Sequence, residues 1–222
     1  MCFCASASFG ASAVLAVIGV ASLTQVQRKN QILFASIPLF FSAQQCIEGI
    51  TWLSFANPPN PILNGYTTYI FLTFAQVFWP LYIPFAMVLV AGKERRKKIQ
   101  WLFVAMGIAE AAYQIWCLVY CPCHSEIRGH HVYYEIDHPA ALNYIEPLFY
   151  IGAILAPPFF TKVKGMWFMA VANLIFCLIT FIYFIHFTFS IWCFFAAIIS
   201  IAVFYIMREN KTISNGQLTM GN

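Results

Sequence analysis

Apolar residues run along this chain in seven long blocks separated by short polar connectors. The blocks lie at about 5–24, 32–55, 66–91, 99–121, 139–160, 165–186 and 189–207. They are continuous and lack the two-residue alternation of a membrane barrel strand. Each is close to the roughly 20 residues a helix needs to cross about 30 Å of hydrocarbon. In lipid the backbone must satisfy its own hydrogen bonds, so continuous apolar runs predict helices. The expected fold class is all-α, an integral membrane bundle of seven transmembrane helices. It fills residues 1–208 and leaves a short cytoplasmic tail at 209–222. Pro80 and Pro84 predict a kink in the third helix. Pro38, Pro147 and the Pro157–Pro158 pair predict bends in the second and fifth, because proline removes a backbone donor and clashes one turn back.

Composition sharpens this picture. The 222 residues are 61% hydrophobic and 9% charged, against about 25% charged in an ordinary soluble domain. Seven spans leave no room for a soluble domain, and no nucleic-acid partner is expected. Eleven of the twelve Lys and Arg residues fall in alternate connectors. These are Arg28 and Lys29, the run from Lys93 to Lys98, Lys162 and Lys164, and Arg208 and Lys211. Only Arg128 falls on the other side. Basic residues stay cytoplasmic, so the N-terminus is expected outside and the C-terminus in the cytoplasm. The start lacks a basic region before its apolar block, so no cleavable signal peptide is expected.

Three carboxylates lie inside the blocks, where an ionisable group marks a functional site by default. Glu48 shares a helical face with Gln44 and with Thr51 or Trp52, and Gln45 is adjacent. Glu110 is followed at helical spacing by Tyr113, Gln114, Cys117 and Cys121. Glu146 follows Asn143 by one turn. The expected orientation puts Glu48, Glu146 and His186 in the outer half. Asn173, Cys177, Thr180 and Tyr183 precede His186, and Trp192 and Cys193 follow it. An outward-facing polar and aromatic cavity follows, with Gln44, Gln45, Glu48, Trp52, Glu110, Glu146 and His186 as its ligand-binding candidates. The competing reading is that these groups join helices by hydrogen bonds.

The outer segment at about 122–138 reads as a long loop and holds His124, His130, His131 and His138, four of the five histidines. Cys121, Cys123, His124, His130 and His131 are metal candidates, since thiolate with imidazole suits Zn²⁺ or Cu⁺. The spacing is not C-x₂₋₄-C, and a disulfide from Cys2 or Cys4 to Cys121 or Cys123 is the plainer reading in an oxidising compartment. A reactive Cys2 or Cys4 near His186 or His131 is a third. No span holds a lysine for a Schiff base, and no H-E-x-x-H or phosphate-binding loop occurs.

The opening Met1-Cys2-Phe3-Cys4-Ala5-Ser6-Ala7-Ser8-Phe9 resembles that of an uncharacterised family of small prokaryotic membrane proteins that begin Met-Cys-Phe-Ser-Ala-x-Ala-Ser-Phe. Ile37-Pro38-Leu39-Phe40-Phe41, Gln44-Gln45, Glu48-Gly49, Trp52 and the stretch His131 to Tyr134 carry the resemblance further. Cys4 stands where the family has serine. The resemblance implies no established activity. It emphasises Cys2, Ser8, Gln45, Glu48 and Trp52, and implies a prokaryotic cytoplasmic membrane. Function is expected to be the binding or sensing of a small or amphipathic ligand. One alternative is a metal- or thiol-dependent intramembrane enzyme acting on a lipid-like substrate, with Cys2, Glu48 or Glu146 catalytic. Another is a transporter or a structural subunit of a membrane complex, with the bilayer and an oligomer or complex partner as its surroundings.

Overall fold

The computed structural model describes residues 4–91, 97–137, 146–183 and 187–219. Cys2, His138, Asn143, His186 and the basic residues Lys93, Arg95 and Arg96 lie outside the described residues. Helices dominate: α1 (Ala5–Leu23), α2 (Ile32–Ala35), α3 (Ile37–Ser54), α4 (Pro61–Leu72), α5 (Trp79–Ala91), α6 (Lys97–Tyr120), α7 (Glu146–Ile154), α8 (Ala156–Phe159), α9 (Met166–Tyr183) and α10 (Thr188–Thr219). Between α6 and α7 stands a two-stranded antiparallel hairpin, β1 (Cys123–Arg128) and β2 (His131–Ile136).

Five helices among the described residues are long and apolar enough to cross a membrane: Ala5–Leu23, Pro61–Ala91, Lys98–Tyr120, Met166–Tyr183 and Ser190–Thr212. By length and composition this is an integral membrane protein. The expected second and fifth spans are interrupted instead. Pro38 removes the donor for the Phe34 carbonyl, and the chain breaks at Ser36 between α2 and α3. Tyr82 Oη donates to the Leu33 carbonyl beside that break (2.9 Å). In the fifth, Leu155 separates α7 from α8 just before Pro157 and Pro158. Gln100 Nε2 of α6 reaches across to the Pro157 carbonyl (3.0 Å). Helix α10 continues to Thr219.

The kink expected near Pro80 takes a specific form. Residues Thr73–Phe78 make a π-helical segment joining α4 to α5. The Trp79 N–H bonds the Phe74 carbonyl rather than that of Ala75. Five residues after Ala75 stands Pro80, which has no N–H to give. The Ala75 carbonyl is therefore left without a helical donor, and Tyr150 Oη of α7 supplies one at 2.7 Å. The same segment packs on α6 at Gly107, where an added Cβ would collide with the Pro80 carbonyl oxygen. Only glycine permits that approach.

The hairpin corrects the all-α expectation. Residues 131–136 alternate, with Val132, Tyr134 and Ile136 buried on one face. A strand presents alternate side chains to opposite faces. That apolar set packs on Phe71, whose ring stacks on Tyr134 at 4.2 Å and 7°. Gly129, at a φ of 63°, takes the turn between Arg128 and His131. Ser125, opposite Tyr134, bonds Thr68 (2.7 Å) and Asn64 (3.0 Å), which seats the hairpin on α4.

Candidate functional site

Helix α3 carries a buried polar stripe into the centre of the bundle. Gln44, Gln45 and Thr51 are fully buried and Glu48 is 2% exposed. Gln45 Nε2 donates to Glu48 Oε2 (3.2 Å), and the Ser190 hydroxyl of α10 donates to Glu48 Oε1. Gln44 turns the other way. Its Oε1 accepts from Trp79 Nε1 at 2.6 Å. Two buried polar atoms of α3, Gln45 Oε1 and Trp52 Nε1, have no hydrogen-bond partner. Native interiors rarely leave such groups unmatched, so each one points to something the site binds or to water. Tyr134 descends from the hairpin, which covers this end of the helices.

The stripe holds its place because α1 and α3 pack closely. Ser12 and Ser42 exchange hydrogen bonds, each hydroxyl donating to the other's carbonyl at 2.8 and 2.7 Å. The Phe9 ring packs directly against Gly49, and Ser8 is buried. The opening residues thus brace the back of the helix whose front carries Glu48.

A second polar group sits on α6 and α7. Gln114 Nε2 donates to Glu110 Oε1 (2.8 Å) and to Glu146 Oε1 (3.0 Å). Leu72, Ala75, Cys117 and Cys193 belong to one apolar cluster that packs among the helices carrying the two polar groups.

A narrow apolar cleft runs between α3, α5, α7, α8, α9 and α10. Trp79, Tyr150, Met169, Asn173, Trp192 and Cys193 are among its walls. Trp79 is also the donor to Gln44, so the cleft and the Glu48 stripe share a wall. Trp192 Nε1 donates to Asn173 Oδ1 (3.3 Å).

The sequence-predicted residues divide among these places. Gln44, Gln45 and Glu48 come together, with Trp52 one turn further along. Glu110 and Glu146 come together in the second group. His186 and Cys2 lie outside the described residues. The metal candidates do not converge. Among the described residues no three His, Cys, Asp or Glu side chains gather as a metal site. The strands explain this: Cys123 and His124 are neighbours on a strand and face opposite ways. His124 Nε2 pairs instead with Glu135 Oε2 across the hairpin (3.0 Å). His131 lies at the far end, opposite Arg128, with its ring 4.8 Å from that of Phe187. Burial pushes the Cys123 thiol above its ordinary value, which disfavours the thiolate that metal binding needs. Cys4, Cys121 and Cys123 are free thiols, so no disulfide among the described residues staples the N-terminus to the hairpin.

Sequence reasoning passed over four contributors. Ser190, Trp79 and Tyr150 are brought in by tertiary packing, and nothing local in the sequence marks them. Tyr134 carried a usable signal, the alternation of Val132, Tyr134 and Ile136.

These features define a helical membrane protein with a buried carboxyl held between helices beside an apolar cleft. Residues 1–217 match the family described as "Family of unknown function (DUF6629)". The chain belongs to that family. No curated protein and no solved structure matches it.

Proposed function

We propose that this protein crosses the membrane seven times, N-terminus outside, and binds an amphipathic small molecule within the bundle. The α2–α3 and α7–α8 pairs serve as the two broken spans, since breaks at Ser36 and Leu155 need not prevent crossing when neighbours satisfy the freed backbone. The eleven basic residues on alternate connectors support this orientation. By the resemblance of its opening, the membrane is the cytoplasmic membrane of a prokaryote. The hairpin then covers the outer end of the Glu48 stripe.

One observation carries the reading. Gln44, one turn from a buried carboxyl on a helix with unpartnered buried polar atoms, reaches the wall of an apolar, tryptophan-lined cleft. Ligand sites combine these features, a mainly apolar lining with a few convergent polar groups. In this arrangement the ligand's apolar portion occupies the cleft and its polar end meets Gln44 and the groups around Glu48.

Native mass spectrometry of the full chain, released from detergent, tests this. The expected result is a small molecule bound at one per chain, retained by wild type and lost from Glu48→Gln and Trp79→Phe. Absence of any bound molecule, together with no thermal stabilisation by a panel of fatty acids, lysolipids and isoprenoid alcohols, would refute it.

A further inference from the structure

We propose that the ligand of the apolar cleft is an uncharged lipid with a flat, carbonyl-bearing ring at its head and an apolar tail, the chemistry of a membrane quinone. The inference rests on the ligand-binding reading above and adds the class of molecule.

The cleft is graded along its length. Lys211 Nζ of α10 donates to the Thr24 carbonyl at the end of α1 (3.3 Å), and Asn30 Nδ2, shortly after α1, donates to the Leu89 carbonyl near the end of α5 (2.9 Å). Helices α5 and α10 therefore finish on the same side. In that direction α5 presents Trp79 to the cleft and then Ile83 and Met87, while α10 presents Trp192 and then Ile199 and Val203. The α7–α8 wall has the same order, Tyr150 followed by Ile154 and Pro158. Helices α3 and α9 run the opposite way. Ser36 meets Tyr82 (2.6 Å) while Gln44 meets Trp79 (2.6 Å), and Asn210 of α10 reaches Lys164 just before α9 (3.4 Å). Their order is reversed accordingly, Ile37 before Phe41 and Met169 before Asn173. Each wall thus puts a ring or an amide at one end and a side chain without either at the other. At the ring end Phe41 stacks on Trp79 at 4.0 Å, and Tyr150 meets Trp192 edge-on at 5.4 Å.

The polar atoms at the ring end select the head. Both indole N–H groups are committed, Trp79 to Gln44 Oε1 and Trp192 to Asn173 Oδ1. The tryptophans therefore meet a ligand as rings and not as donors. A narrow slot between aromatic rings suits a flat ring, which packs against them offset or edge-on. The Trp192 bond also fixes the Asn173 amide, since the reverse orientation would set N–H against N–H. Asn173 Nδ2 is left with two N–H groups and no hydrogen bond among the described residues. Such a donor matches a carbonyl oxygen. Among the described residues no Lys, Arg, His, Asp or Glu lines the cleft. An ionised head would lose its hydration there without compensation. Towards the other end, Ser200 donates its hydroxyl to the Ala197 carbonyl of its own helix (2.6 Å), which leaves that part of the cleft to an apolar tail.

Three ligands with one tail and different heads test this on the full chain in detergent: a decyl-substituted benzoquinone, decanol and decanoic acid. Quenching of tryptophan emission reads quinone binding, and competition with the quinone reads the other two. We expect saturable quenching that decanol and decanoate displace only weakly. Asn173→Asp keeps an oxygen for Trp192 and loses the N–H groups, and should bind the quinone roughly tenfold more weakly. Asn173→Leu, which buries no charge, should show the same loss for the quinone and none for decanol, so the comparison survives if the Asp variant does not fold. Trp167→Phe, on a residue 65% exposed, should bind as wild type does. A quinone bound no better than decanol would overturn the assigned class and leave the ligand reading of the cleft standing. An unchanged preference for the quinone in both Asn173 variants would overturn the role of the amide. Binding of none of the three would overturn this inference and, with an empty native mass spectrum, the ligand reading as well.

Discussion

Replacing Tyr150 by phenylalanine removes one oxygen atom and isolates the function of a single hydrogen bond. The ring remains, with its 5.4 Å edge contact to Trp192. What disappears is the 2.7 Å donation to the Ala75 carbonyl. That carbonyl has no substitute, because the Trp79 N–H is committed to Phe74 and residue 80 is a proline. A buried acceptor left unmatched costs about 1–3 kcal/mol. Hydrogen bonds between membrane helices average about 0.6 kcal/mol and reach about 1.7. The absence of any alternative donor places this bond near the top of that range, and Tyr150→Phe should lose about 1–1.5 kcal/mol. The structure also says how to cancel the loss. Pro80→Ala restores an N–H that can reach Ala75, or lets the segment relax to an α-helix in which Trp79 does so. In that background Tyr150→Phe should cost less than about 0.5 kcal/mol, since the acceptor is no longer orphaned. Reversible unfolding in mixed micelles, titrated with SDS and followed by circular dichroism, gives all four corners of the cycle. A Tyr150→Phe variant as stable as wild type, or a strictly additive cycle, would refute the reasoning.

Gly107→Ala should lose about 1–3 kcal/mol in the same assay, because its Cβ meets the Pro80 carbonyl and α5 must move off α6. Gly10→Ala, where nothing lies within 4 Å of an added Cβ, should be neutral or slightly stabilising, and equal losses at the two sites would contradict the packing described. Ser125→Ala removes the bonds to Thr68 and Asn64 and should raise amide exchange across β1 and β2 while sparing α9. His131 gives the hairpin a pH dependence. Burial first, and neighbouring positive charge second, hold its imidazole below the ordinary value of 6.5. The undocked state therefore binds the proton more readily, and docking weakens as pH falls through 6.5 towards the lower docked value. Amide protection of β2, corrected for intrinsic exchange, should fall between pH 7.5 and 5.5 in wild type and stay flat in His131→Asn.

Hydropathy made the spans legible because a bilayer imposes length and apolarity on each helix separately. It located five helices, with one end of each of two, Pro61–Ala91 and Ser190–Thr212, misplaced by five residues. It was less exact where one residue type acts on the backbone. Pro38 and Pro157–Pro158 were expected to bend their helices and instead divide them. The hairpin was missed because a loop rich in histidine and charge suggests a metal site, while the alternation at 132, 134 and 136 points to a strand. Of the site, α3's own polar stripe could be read directly, since residues three and four apart share a helical face. Its partners could not. Ser190 reaches Glu48 across 142 residues of sequence, and only the packing of α10 on α3 brings it there. Glu48 is held between α3 and α10, whereas Glu110 and Glu146 meet between α6 and α7.

The helix breaks and the cleft have a common origin. A straight helix packed along its full length leaves little space beside it, since interiors close to near-crystalline density. Here α3 begins at a break, α5 follows a π-helical turn, and α7 and α8 are divided at Leu155. Residues from all three regions wall the cleft: Ile37 and Phe41, Trp79 and Ile83, Ile154 and Pro158. Pro80 also leaves the Ala75 carbonyl needing a donor, which Tyr150 supplies, and Tyr82 brings its hydroxyl to the Leu33 carbonyl beside the break at Ser36. Tyr150 therefore has two roles, as a wall of the cleft and as the donor that stabilises the bulge creating it. A ligand pressing on that ring would act directly on the α4–α5 junction, through the 2.7 Å bond to Ala75. On the ligand-binding proposal, filling the cleft would thereby act on the geometry of the Pro61–Ala91 helix.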